Sequence, residues 1–142
     1  MRTSIDRFRR NEAATSAIEF AMIAPVLLLM IFGIIGYGYV LGIYHGIQQV
    51  ASEAARASVS GVTDVERDQI ARAFVTANAS SYAFIDPAKV SVTTAQSGAP
   101  QQTFSVAVAY DMSGTLFQSL ASLVSLPPPT VVRRAVIQRG GY

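Results

Sequence analysis

The chain has 142 residues, of which 51% are hydrophobic, and its mean hydropathy is +0.35. That is more apolar than a soluble domain of this size requires, and the excess lies mainly between Phe20 and Val50. The net charge of +2 is too small to indicate nucleic-acid binding, and the absence of cysteine excludes disulfides, thiolate zinc sites and thiol chemistry.

The first predicted elements are a basic leader and an apolar segment. Residues 1–12 carry four arginines and two acidic side chains, whereas residues 20–52 carry no formal charge. As a helix rising about 1.5 Å per residue, residues 21–43 span about 35 Å, which suffices for a bilayer core of about 30 Å. Because the arginines flank this segment on the N-terminal side, residues 1–18 are expected in the cytoplasm and the C-terminal domain outside it.

The helical pattern continues beyond the apolar segment. One stripe of apolar and small residues follows at helical spacing: Ile43, Ile47, Val50, Ala51, Ala54 and Ser58. No proline or turn signal interrupts it before Gly61. We therefore predict one helix over residues 15–60, with a transmembrane part over about residues 20–43 and a second half that packs against a soluble domain.

Three features of this helix predict contacts with other helices. Glu19 is a carboxylate at the edge of the apolar run, where a charge is costly unless it is paired, although a position at headgroup level needs no function. Pro25 cannot donate a backbone hydrogen bond, so a kink or loosening is expected there. Gly38, Gly42 and Gly46 form two overlapping G-x-x-x-G repeats, which favour close helix–helix contact in lipid.

Residues 61–142 are predicted to form a small extracytoplasmic α+β domain. Thr63 and Glu66 have the spacing of a capping box and begin a helix that ends near residue 79. Alternating residues then predict an antiparallel hairpin, with strands over residues 89–95 and 103–110 and a loop over residues 96–100.

A short helix and a third strand are predicted after the hairpin. The helix begins at Ser113 and ends before Pro127, and its apolar side consists of Leu116, Phe117, Leu120 and Leu123. Residues 130–138 predict a strand that Arg133 and Arg134 make suitable for a sheet edge. The predicted fold class is α+β: a long N-terminal transmembrane and amphipathic helix, then a small domain with about three antiparallel strands and one or two short helices.

No pattern in the sequence indicates catalysis. His45 is the single histidine and lies near the expected membrane interface, and the capping box accounts for the acidic residues around Glu66. Clusters with metal-ligand spacing, nucleophile motifs and glycine-rich phosphate loops do not occur in the sequence. We predict a protein that is not an enzyme and has no catalytic, metal-binding or cofactor-binding residue.

The start of the helix resembles a known family. Residues 9–21 read RRNEAATSAIEFA, and Pro25 and a Leu/Ile-rich run follow. This segment resembles the N-terminus of TadE-like minor pseudopilins of the Tad (tight adherence) apparatus, which builds Flp-type pili of the type IV filament class. Residues 51–57, ASEAARA, resemble the small-residue end of the helix in that family. The resemblance covers about residues 9–60.

The resemblance implies processing by a prepilin peptidase. The cut would fall between Ala14 and Thr15, with Glu19 and Phe20 completing the recognised motif, and would remove residues 1–14 as a leader. The family pattern has glycine before the cut, where this chain has Ala14. The Glu19 carboxylate would then pair with the new α-amino group of Thr15 on a neighbouring subunit.

The implied function is that of a minor pilin or pseudopilin that takes part in the assembly of a Tad/Flp-type pilus used in adherence, by priming, capping or insertion. The implied partners are the prepilin peptidase, the major pilin, a sister pseudopilin, the inner-membrane assembly platform and membrane lipid, without nucleic acid. The implied location is the bacterial inner membrane, crossed once, and then the extracellular pilus.

Three other interpretations stay open at this point. The chain would be an uncleaved single-pass protein with an extracytoplasmic binding or structural domain, a secreted domain freed by signal peptidase, or a pseudopilin of a type II secretion-like system. The apolar run exceeds the signal-peptide length of about 7–15 residues, and no small-x-small site follows it closely. The third alternative normally has an aromatic residue after the cut, where this chain has Thr15.

Overall fold

The computed structural model describes residues 3–98, 102–115 and 128–138, with side chains from Ala14 onward. Within these ranges a long helix precedes a shorter helix and a three-stranded antiparallel sheet. The predicted α+β fold class is confirmed. The predicted helix with Leu116, Phe117, Leu120 and Leu123 lies outside the described residues, as does part of the hairpin loop.

Helix α1 runs from Thr3 to Ser58. It begins before the predicted start at residue 15, because residues 3–14 contain neither glycine nor proline and half of them are good helix formers. It continues through Pro25, which removes one backbone hydrogen bond of the helix without ending it. The kink expected at Pro25 stays a prediction.

The end of α1 depends on a turn that only glycine fits. The Ser58 hydroxyl donates to the Ala55 carbonyl at 2.6 Å, and the Gly61 N–H donates to the Ser58 carbonyl at 3.1 Å. A Cβ at position 61 would lie 2.9 Å from the backbone nitrogen of Arg67. A side chain at Gly61 would therefore collide with the next helix.

Helix α2 runs from Asp64 to Asn78, and Thr63 caps it as predicted. The Glu66 N–H donates to the Thr63 hydroxyl at 3.2 Å. The Glu66 carboxylate accepts from the Val62 N–H at 2.9 Å, one residue before the N-cap that a standard capping box would use. Both bonds fix the entry of the chain into α2.

The sheet has the order β1-β2-β3 with antiparallel neighbours. Its strands are β1 Val90–Ser97, β2 Thr103–Asp111 and β3 Thr130–Gln138. The predicted hairpin and third strand are confirmed, and β3 forms an edge, as its arginines indicate. The inner face of β2 is buried and comprises Phe104, Val106, Val108 and Tyr110.

The second half of α1 supplies much of the core of the small domain. Ile43, Ile47 and Val50 are fully buried and belong to one hydrophobic cluster with the inner face of β2 and with Ala71 and Val75 of α2. The chain accordingly divides into two compact units, Met1–Tyr37 and Gly38–Tyr142. The compact domain thus begins inside α1, because residues beyond 61 alone would lack one wall of the core.

Candidate functional site

The predicted processing motif lies on the exposed surface of α1. Ala14, Thr15, Glu19 and Phe20 are all exposed, and 67% of Phe20 is accessible. Thr15 and Glu19 are four residues apart, so they lie on the same side of the helix. The Ala14–Thr15 peptide bond is part of helical backbone.

A wide apolar surface follows this motif along the first half of α1. Its exposed large hydrophobic residues between Ile18 and Leu41 are Ile18, Phe20, Met22, Ile23, Val26, Leu27, Leu28, Leu29, Met30, Ile31, Phe32, Ile34, Ile35, Tyr37 and Leu41. Within the described residues, one helix is long and apolar enough to cross a membrane, and its most apolar stretch has a mean hydropathy of 2.5 with none of it buried. Exposed apolar surface of this extent indicates contact with lipid or protein.

The three glycines of the G-x-x-x-G pattern differ in what surrounds them. A Cβ at Gly38 would meet nothing within 4 Å, whereas one at Gly42 would lie 3.1 Å from Cδ2 of Phe84. A Cβ at Gly46 would lie 2.8 Å from Cδ1 of Ile85. Gly42 and Gly46 therefore allow a loop of the same chain to pack closely against α1. The predicted helix–helix contact did not include this reason for small residues at the two positions. The predicted contact with another helix stays a prediction.

The loop over residues 82–86 is fastened to the domain by tyrosine hydroxyl groups. The Tyr82 hydroxyl donates to the Glu53 carboxylate of α1 at 2.8 Å. The Tyr110 hydroxyl donates to the Phe84 carbonyl and accepts from the Asp86 N–H, both at 3.4 Å. Burial, and then the adjacent Glu53 carboxylate, raise the pKa of Tyr82 above its usual value, so the hydroxyl stays protonated and donates.

The sequence did not indicate that this loop packs against α1. The spacing of Gly42 and Gly46 indicates a close approach to the helix but does not identify what approaches. Phe84 has a φ of 66° although it is neither glycine nor asparagine, so no turn motif reveals its conformation.

Several charged side chains of the domain form structural contacts. Arg72 pairs with Asp68 one turn earlier on α2 at 2.9 Å, and its Nη1 donates to the Val92 carbonyl of β1. The Arg133 guanidinium lies 4.5 Å from the centre of the Tyr44 ring, which joins β3 to α1. Among the described residues, no three His, Cys, Asp or Glu side chains are grouped to hold a metal ion.

Comparison with known proteins gives one result, and it concerns α1. Residues 14–56 match the model of the TadE-like protein family. The resemblance predicted from the sequence is thereby confirmed over this segment. The search of curated proteins and the search of solved structures returned no match.

The TadE-like segment begins at Ala14 and ends two residues before the end of α1. It contains Thr15, Glu19, Pro25 and the three glycines, together with the apolar surface. Helix α2 and the sheet lie outside the match, so the similarity to the TadE-like family concerns α1 and not the small domain.

Proposed function

We propose that the chain is a minor pilin or pseudopilin that takes part in assembling a Tad/Flp-type pilus used in adherence, by priming, capping or insertion. The TadE-like match over residues 14–56 carries this proposal. The pilus connection also accounts for the apolar surface of α1, which would contact lipid before assembly and neighbouring helices in the filament.

The proposed location is the bacterial inner membrane, crossed once by α1. Four arginines in residues 1–12 favour a cytoplasmic N-terminus and an extracytoplasmic small domain. The proposed partners are the prepilin peptidase, the major pilin, a sister pseudopilin and the assembly platform. The proposed role is structural, without catalysis.

Glu19 has a specific part in this proposal. It is exposed and stands at the start of an apolar surface, where an unpaired carboxylate is costly in lipid. Cleavage after Ala14 would create an α-amino group on Thr15, and pairing with Glu19 of an adjacent subunit would neutralise both charges. Removal of one partner from such a buried pair costs about 3–5 kcal/mol.

Processing is tested by the intact mass and N-terminal residue of the protein from cells with and without the prepilin peptidase. We expect a peptidase-dependent start at Thr15, which leaves 128 of the 142 residues. Full-length protein in both strains would favour the alternative, an uncleaved single-pass protein with an extracytoplasmic binding or structural domain. A start well inside the chain would favour a secreted domain.

Assembly is tested with Glu19→Gln, which removes the charge with little change in volume. We expect the variant to be cleaved and to reach the membrane but to be absent from sheared pili. Glu12→Gln is the matched control, because it makes the same change on α1 within the segment that cleavage would remove. Normal incorporation of the Glu19→Gln protein would contradict the pairing role.

A further inference from the structure

Phe84 has two energetically unfavourable properties, an exposed aromatic side chain and a strained backbone. Its side chain is 59% exposed, and its φ of 66° places a bulky aromatic residue in the left-handed region. Such a backbone conformation is strained and persists only where the surroundings impose it. Exposure of an aromatic ring to water forgoes further stabilisation from burial.

The structure around Phe84 imposes this conformation. Ile85, the next residue, is 7% exposed and lies against Gly46. The Tyr110 hydroxyl bonds the backbone on both sides, at the Phe84 carbonyl and the Asp86 N–H. With the flanking backbone held in this way, the Phe84 ring stays outside the core.

The ring lies beside the end of the apolar part of α1. Its centre is 5.2 Å from that of the Tyr39 ring in an edge-to-face arrangement, and its edge approaches Gly42. Tyr39 and Gly42 belong to the last turns of the apolar run over residues 21–43, and Leu41, which lies between them in sequence, is 55% exposed. Phe84 therefore adds an exposed aromatic ring beside residues 39–42, where the apolar run ends.

We propose that Phe84 is a membrane contact of the globular domain, with its ring in the interfacial layer of the phospholipid bilayer that α1 crosses. Aromatic side chains favour this layer, and insertion there removes from water the ring that the loop holds outward. The contact fixes the domain against the membrane surface before assembly. This inference rests on the membrane anchoring in the proposed function and adds a second lipid-contacting element to it.

The chain contains no tryptophan, so a single introduced indole reports its own surroundings. The test compares three variants of the full chain in phosphatidylcholine vesicles with bromine near the headgroup or near the chain ends. Phe84→Trp probes the proposed contact, Phe32→Trp probes the span, and Val62→Trp probes an 85% exposed position after the end of α1. Ala83→Trp, at an exposed neighbouring position, replaces Phe84→Trp if circular dichroism shows that the latter does not fold.

We expect shallow bromines to quench F84W more strongly than deep ones, the reverse order for F32W, and no quenching of V62W. Quenching of F32W with F84W indistinguishable from V62W would overturn this inference and leave the anchor intact. Absence of quenching in both F32W and F84W would overturn the anchor and the inference together. The F84W emission could instead shift to the blue as the protein-to-lipid ratio rises, without quenching by bromine. That result would assign the site to a second copy of the chain and also overturn the inference.

Discussion

Ile85 of the loop over residues 82–86 reaches into the space left by Gly46 of α1. A Cβ at Gly46 would lie 2.8 Å from Cδ1 of Ile85 and 3.5 Å from its Cγ1. Ile85 is 7% exposed, so its terminal methyl group has little room to move away. The absent side chain at position 46 thus allows the loop to pack on the helix.

Gly46→Ala is expected to destabilise the protein, with overpacking of about 1–3 kcal/mol partly offset by a helix-propensity gain of about 1 kcal/mol. Ile85→Val removes the methyl group that the new Cβ would meet, so Gly46→Ala should cost less in that background. Urea denaturation of the detergent-solubilised full chain, followed by tyrosine fluorescence, measures both free energies of unfolding. Equal costs in the two backgrounds would show that the two residues are not coupled.

Stability should also depend on the ionisation of Asp68. Its carboxylate accepts from Nε of Arg72 at 2.9 Å and from the Thr94 hydroxyl at 2.6 Å, and these bonds, that to Arg72 first, lower the pKa of Asp68. Because the folded pKa lies below the unfolded value of about 3.9, this stabilisation is present above that pH and is lost as pH falls through the folded pKa.

Asp68→Asn should therefore cost about 1 kcal/mol at neutral pH, a value suited to a partly exposed pair with one further hydrogen bond. The difference from the wild type should shrink as the pH falls below about 4. Thr94→Val, which removes one partner and keeps the ion pair, should lose less. A difference that stays constant down to the acid transition would contradict this account.

The N-cap of α2 gives a third prediction. Thr63→Ala removes the acceptor of the Glu66 N–H and should lower the free energy of unfolding by about 1 kcal/mol, whereas Thr63→Ser should retain most of it. Thr76→Ala is a control inside α2, because its exposed hydroxyl donates to the Arg72 carbonyl of its own helix. Thermal unfolding of the three variants in one detergent compares them directly, and equal melting temperatures for the Ala and Ser variants at position 63 would argue against the cap.

Regular patterns made most of the architecture predictable. The alternation over residues 103–110 predicts β2, and the small and apolar stripe from Ile43 to Ser58 predicts the half of α1 that enters the core. The order of the strands did not follow from the pattern, because residues 130–138 alternate equally well beside either neighbour. The order of helical and strand patterns along the chain was enough to predict the α+β class.

Which group contacts the glycine positions of α1 was less predictable, for a physical reason. G-x-x-x-G spacing specifies that something approaches the backbone, but a loop of the same chain and a second helix satisfy it equally. The position of Phe84 depends on the Tyr110 hydroxyl, 26 residues away in sequence, and no local rule encodes that contact. By contrast, the sequence alone identified the TadE-like segment, because its charges, small residues and Pro25 lie within one continuous helix.

Arg133 and Arg134 of β3 provide a matched pair for the last prediction. Successive strand residues point to opposite faces, so Arg133 lies inward over the Tyr44 ring at 4.5 Å while Arg134 is exposed on the outer face. Arg133→Gln should lower the free energy of unfolding by about 1 kcal/mol, whereas Arg134→Gln should change it by less than about 0.5 kcal/mol.

The Tyr44 ring should be the reason for this difference. Tyr44→Phe keeps an aromatic face and should retain most of the stabilisation, whereas Tyr44→Leu should lose it and make a further Arg133→Gln change nearly neutral. Urea denaturation of the single and double variants measures this coupling. An equal loss for Arg133→Gln in the wild-type and Tyr44→Leu backgrounds would mean that the guanidinium stabilises β3 through other groups. If Arg133→Gln lowers the free energy of unfolding only where Tyr44 is present, the contact between this cation and this ring holds the edge strand on α1.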